Sequence, residues 1–284
     1  MINLNVDEII LQNDRRGISL LKSYLPINFC KKAALSVLNN SGTVFIVTGF
    51  FITNANSPET DGPPGALSIA SALTHLGYKT YFVTDRFSHF LMRKLSGNSS
   101  NIIVFPLTSE SESQIFSLEL LSKFNPSLII SVERCGCNSE CSYLNINGTD
   151  ISEFTAKTDF LFHNHNTTIG IGDGGNEIGM GNYTEIISRS EGLPKKPCIT
   201  RTTHSIISSV SNWGAYGLIA ELSVLVKHNL LLTIGEEKDI INKAVKYGAV
   251  DGITQKHTPK VDGFNLIENS KALYDLHQFV NSNI

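Results

Sequence analysis

The sequence predicts a doubly wound α/β protein, with a mostly parallel, Rossmann-like sheet and helices on both faces. Three observations lead there. Short β-branched runs alternate with helix-length segments along the chain. The runs are apolar at nearly every position, as strands buried on both faces must be. Polar or glycine-rich stretches follow several of them, at the strand ends where ligands bind in such sheets.

The first forty residues read as a helical lead-in, with Leu20, Leu21 and Leu25 on one side. Thr43–Thr48 (TVFIVT) is the first expected strand. Pro64 then suits the first turn of a helix running to Leu76, with Thr60 or Asp61 as its cap. Further strands are expected over Thr80–Thr84, Ile102–Phe105, Leu128–Val132 and Thr168–Ile171, and helices over Arg86–Leu95 and Ser111–Phe124. After Pro197 a strand over Cys198–Thr203 and helices over Trp213–His228, Glu236–Tyr247 and Leu266–Asn281 complete the pattern. No repeat, low-complexity tract or long linker divides it, so a single domain over 1–284 is expected.

Composition narrows the partners. The 284 residues are 41% hydrophobic and 17% charged, with a net charge of −3. Such a balance gives no electrostatic reason to expect nucleic acid or an anionic membrane, and the longest apolar runs fall short of a membrane span. The N-terminus meets Asp7 and Glu8 early and lacks the basic-then-apolar layout of a signal peptide. Five cysteines suit a reducing compartment better than a disulfide framework. The expectation is a cytoplasmic protein that binds a small molecule, with room for a homo-oligomer.

The most informative segment is Thr167–Asn182, TTIGIGDGGNEIGMGN. A β-branched run breaks into Gly172-Asp173-Gly174-Gly175, and a helix is expected from near Asn176. Glycines allow close backbone approach to a ligand, and a fresh helix end offers unpaired N–H groups to an anion. Two carboxylates, Asp173 and Glu177, sit inside that anion-friendly turn and would share one helix face. A purely structural account makes Asp173 the helix cap and Glu177 a charge favoured by the positive end. The functional account makes them general acid/base residues or oxygen ligands for a hard cation such as Mg2+ or Mn2+. Gly170, Gly172 and Gly175 also match G-x-G-x-x-G literally. Yet no persuasive acidic ribose ligand follows, since Glu191 sits in a loop beside Gly192 and Pro194. A nucleotide or phosphorylated ligand at the Gly172–Gly175 turn is the alternative function.

Two more strand-end loops carry charge. After the first strand come Glu59, Asp61 and Gly62. After Leu128–Val132 come Glu133 and Arg134, where Arg134 can grip a carboxylate bidentately and Glu133 can act as acid, base or partner to the arginine. Cys135, Cys137 and Cys141, with His163 and His165, raise zinc, but the usual second ligand pair is missing nearby.

GFF…ETDGPPGA, the strand ending in ER, YLNINGTDIS and TIGIGDGGNEIGMGN occur in this order in the D-glutamate cyclase family. The chain resembles both its bacterial stand-alone form and the C-terminal domain of the mitochondrial eukaryotic enzymes, from about Thr43 to Asp262. The resemblance implies a carbon–oxygen lyase that dehydrates D-glutamate to 5-oxo-D-proline. Asp173 and Glu177, with Glu133, would then supply acid/base or amine-binding carboxylates. Arg134 and the N–H groups around Gly172, Gly174, Gly175 and Asn176 would hold substrate carboxylates, with Glu59, Asp61 and Gly62 on the polar rim. No cofactor is required by this chemistry, and a divalent cation on Asp173 and Glu177 is a variant of it. Asn147 stands where the family more commonly carries arginine.

Overall fold

Strands that are apolar on both faces need a helical layer on each side, and this alternation organises the molecule. The computed structural model describes residues 5–97 and 101–284; residues 1–4 of the expected lead-in lie outside the described residues. Six strands pair in parallel: β1 (Thr43–Thr48), β4 (Lys79–Thr84), β5 (Ile102–Val104), β6 (Leu128–Val132), β7 (Thr168–Gly172) and β8 (His204–Ile207). Their order in the sheet is β5-β4-β1-β6-β7-β8. Two-residue ribbons lie outside the sheet: β2 (Phe51–Ile52) with β3 (Ser57–Pro58), and β9 (Lys260–Val261) with β10 (Phe264–Asn265).

Side-chain alternation sorts the core into two layers. Val44, Ile46, Ile130, Val132, Ile169 and Ile171 join the larger cluster. It packs helices α1 (Val6–Ile10), α2 (Phe29–Leu38), α3 (Pro63–His75), α8 (Ser211–Val226) and α10 (Leu266–Asn281). Phe45, Val47, Val83 and Ile129 point the other way, toward α5 (Glu110–Phe124) and α6 (Asp159–His163). The fold is the doubly wound α/β arrangement the sequence predicts. α4 (Arg86–Ser96), α7 (Thr184–Arg189) and α9 (Ile234–Lys246) complete the helices among the described residues.

α8 is buried continuously from Ser211 to Ser223. A helix apolar on all sides belongs inside a core, and this one contacts α1, α2, α3 and α10. The lead-in and the C-terminal helix therefore close over the same helix. No helix among the described residues is long and apolar enough to cross a membrane.

Two expected elements differ. Cys198–Thr203 is irregular, and the strand runs over His204–Ile207 instead. The segment spends its polar groups on neighbouring loops: the Ile199 N–H donates to the Cys137 carbonyl and the Gly179 N–H to the Thr200 carbonyl, both at 2.9 Å. No helix begins at Asn176 either. The first helical turn after the glycine run is a 3-10 turn at Met180–Tyr183, followed by α7.

The sheet order places the site. After β1 the chain winds outward through β4 and β5, then returns to β6 on the opposite side of β1. The loops leaving β1 and β6 diverge, opening a crevice at the carboxyl edge of the sheet.

Candidate active site

That crevice holds a cavity of about 310 Å3, lined among others by Arg16, Phe50, Phe51, Glu59, Glu133, Asn147, Asn176 and Glu177. Three strand-end loops bring carboxylates together there. Asp61 follows β1, Glu133 follows β6 and Asp173 follows β7, and one carboxylate oxygen from each lies within 4.8 Å of the other two. All three side chains are buried.

Each acid is fixed by local structure. Asp61 does not cap α3. Its oxygens accept N–H bonds from Ser211 (2.9 Å) and Asn212 (2.8 Å) at the start of α8. Asn212 Oδ1 in turn accepts from Gly62 (3.1 Å) and Gly65 (2.8 Å) at the start of α3. The two helices thus cap each other across the crevice, satisfying N–H groups that would otherwise be orphaned. Thr60 does not cap α3 either, because its hydroxyl donates to the Lys260 carbonyl at 2.6 Å. Glu133 sits at φ +46°, a left-handed conformation rare for this residue type. Its Oε2 accepts the Ser211 hydroxyl at 2.6 Å. Gly62 packs directly against it: with φ +92°, a Cβ there would stand 2.8 Å from the Cβ of Glu133.

The glycine loop inverts the sequence-based expectation. Glu177 folds its carboxylate back onto the loop, accepting the Gly174 and Gly175 N–H groups at 2.7 Å each and that of Asp173 at 3.3 Å. The anion site made by these amides is filled by the protein's own side chain. It is not open to substrate carboxylate or phosphate, and Gly174 and Gly175 do not offer the N–H groups expected of them. The loop is pinned instead to the segment after β6, through Gly136 N–H to the Asn176 carbonyl and Ile178 N–H to the Arg134 carbonyl, both 2.9 Å. This pairing consumes the backbone groups a helix at Asn176 would need, so Asp173 caps no helix and does not share a helix face with Glu177. Gly172 leaves space for the Glu177 side chain, whose Cβ would lie 2.8 Å from a Cβ at Gly172.

Arg134, expected to grip substrate, turns away from the cavity. Its guanidinium is buried, pairs with Asp85 at 2.6 Å and donates to the Gly49 (2.7 Å) and Ala156 (2.8 Å) carbonyls. It ties together the loops after β1, β4 and β6. The guanidinium that does line the cavity belongs to Arg16, which pairs with Asp173 through Nη1 and with Asp262 through Nη2. Neither Arg16 nor Asp262 stood out in the sequence. Their only local marks are a double arginine before Gly17 and an Asp-Gly turn between β9 and β10.

Electrostatically, the cluster holds Glu59, Asp61, Glu133, Asp173, Glu177 and Asp262 against one arginine. Burial works against the charge of Arg16, but Asp173, Asp262, Glu133 and Glu177 hold it firmly protonated. Burial, reinforced by Asp262, pushes the Asp61 carboxyl up to about 7, against the N–H groups of Asn212 and Ser211. Glu59 and Glu133 are raised by burial and then by neighbouring carboxylates. Asp173 is raised by burial, with Arg16 opposing. Acids so perturbed in a cleft are the pattern of a working site. Among the described residues the cysteines and histidines do not gather into a metal-binding group; all five cysteines are free thiols, and both ring nitrogens of His165 lie against the Thr167 and Pro126 carbonyls.

An α/β scaffold with a small, carboxylate-walled cavity at its strand switch point has the geometry expected of a ligand site. Comparison with known proteins makes this more particular. A family model described as D-glutamate cyclase-like, C-terminal, matches residues 7–277, and the chain belongs to this family. It is 29% identical over 213 residues to human mitochondrial D-glutamate cyclase, an alignment covering 68% of this chain and 34% of that protein. The chain therefore spans about a third of the length of that relative. Among solved structures, an exopolyphosphatase-related protein from Bacteroides fragilis covers 91% of this chain and 57% of its own, at 11% identity and a TM-score of 0.41. That likeness bears on neither fold nor function.

Proposed function

We propose that this protein is a hydro-lyase that cyclises D-glutamate to 5-oxo-D-proline. The observation that carries the reading is the meeting of one arginine with several carboxylates on a single small cavity. Glutamate is a zwitterion with two carboxylates and one ammonium, and the cavity offers complements to both signs. At about 310 Å3 it lies at the small end of ligand pockets, suited to an amino acid rather than a dinucleotide. Family membership supports the same chemistry.

Ring closure needs the α-amine to attack the γ-carboxyl carbon. The ammonium loses two protons, a C–N bond forms, a C–O bond breaks, and the departing oxygen leaves with both protons as water. In this reading Glu59 takes the amine proton. It lines the cavity, its Oε1 is buried without a hydrogen-bond partner, and burial with its carboxylate neighbours raises its pKa, which strengthens it as a base. Arg16 has spent two of its five donors on Asp173 and Asp262, leaving others for the substrate's α-carboxylate. In this reading Asn176, on the cavity wall, donates to the oxyanion. Holding five atoms of one chain in ring geometry supplies part of the barrier reduction.

Ligand-dependent stability checks this. D-glutamate or 5-oxo-D-proline at a hundredfold excess over Kd should add about 2.7 kcal/mol of stability and raise Tm by several degrees, whereas NAD and ATP should leave it unchanged. Stabilisation by a nucleotide and by neither amino acid ligand would overturn the reading.

A further inference from the structure

We infer that Asp61, Glu133 and Asp173 form a binding site for one hard divalent cation, of the Mg2+ or Mn2+ class. Three observations converge on it. First, one oxygen from each residue lies within 4.8 Å of the others, little more than the roughly 4.2 Å that separates opposite ligands at a 2.1 Å metal–oxygen bond. Second, Asp173 is completely buried, yet its Oδ2 has no hydrogen-bond partner. Arg16 engages the other oxygen, Oδ1, so guanidinium and cation take different edges of one carboxylate. A fully buried carboxylate oxygen left without a donor is costly, and a bound cation removes that cost. Third, six carboxylates face a single arginine, an imbalance that a divalent charge reduces.

The donor set is all oxygen, which selects a hard metal over zinc or copper. Outer contacts already orient it: the Ser211 hydroxyl holds Glu133 Oε2, and the Ser211 and Asn212 N–H groups hold Asp61. Glu177 is not part of this set, because both of its oxygens are taken by loop amides. The cation therefore moves from the Asp173–Glu177 pair that the sequence suggests to the three strand-end acids. Resting on the cyclase reading, its role is to neutralise and polarise the γ-carboxylate, so that the amine attacks a better electrophile.

The test is Mn2+ binding to the EDTA-treated, full-length protein by calorimetry, without substrate. Wild type is expected to bind one Mn2+ per chain, displaced by excess Mg2+. Asp173→Asn and Glu133→Gln should each weaken binding by about tenfold or more, while Glu177→Gln still binds one ion. Circular dichroism of each variant separates lost ligands from lost fold, and a Mn2+-dependent rise in wild-type Tm gives a second readout that needs no variant. No binding by wild type at millimolar Mn2+, or undiminished binding by a folded Asp173→Asn, overturns the site. Mn2+ bound with no product from glutamate would leave the site standing and remove the cyclase reading instead.

Discussion

Asp173→Asn is expected to lower kcat for 5-oxoproline formation by about 10²- to 10³-fold while leaving Tm nearly unchanged. The side chain has two distinct tasks. Its Oδ1 anchors Arg16, the cation on the cavity wall, and its Oδ2 is the buried oxygen without a partner. Asparagine keeps the volume and can still accept one bond from Arg16, so the loop has no reason to collapse. It cannot supply a second anionic oxygen. Stability should change little, because burial disfavours the charged form of Asp173, and Arg16, which opposes this, keeps its pair with Asp262. Steady-state kinetics with a thermal melt of the same preparation check both halves. Full activity in the folded variant would remove Asp173 from the mechanism.

Arg134→Met should behave in the opposite way, costing stability of about 3–5 kcal/mol and a Tm lower by about 10 °C. Arg134 and Asp85 are 1% and 2% exposed and pair at 2.6 Å. Removing the guanidinium strands a buried carboxylate and frees the Gly49 and Ala156 carbonyls. The damage spreads because Asp85 also caps α4, accepting the Phe87 N–H at 3.0 Å. Lysine should rescue little, since a point charge cannot make the forked contacts of a guanidinium. If Arg134 gripped substrate instead, the methionine variant would fold normally and show only a raised KM. Denaturation curves and kinetics on one sample distinguish the two.

The contrast between these residues shows what the sequence could disclose. Strands such as TVFIVT and LIISV were legible because burial on both faces leaves a continuous apolar run, and the sheet follows from their alternation with helices. The loops rich in acid were legible as well, since Glu59, Asp61, Glu133 and Asp173 all follow buried strands and do gather at the crevice. Direction was not legible. Glu133 and Arg134 are adjacent, yet the backbone at φ +46° sends one to the cavity and the other to Asp85. The loop after β7 looked like a helix start because glycine and acid are also cap residues. Only the tertiary pairing with the segment after β6 shows that Glu177 closes the loop on itself. Arg16 lay beyond any local pattern, since it meets Asp173 across 157 positions of sequence. Asn212 is similar: nothing in SNWGAYG marks it as the cap of a helix 150 positions earlier.

The central claim is that these acids and Arg16 close glutamate into a lactam. Its most direct test is incubation of the purified, Mn2+-loaded protein with D-glutamate and, separately, L-glutamate, followed by chiral chromatography of the products. The account predicts 5-oxo-D-proline accumulating from D-glutamate in step with loss of its free amine. Absence of 5-oxoproline from both enantiomers would contradict it.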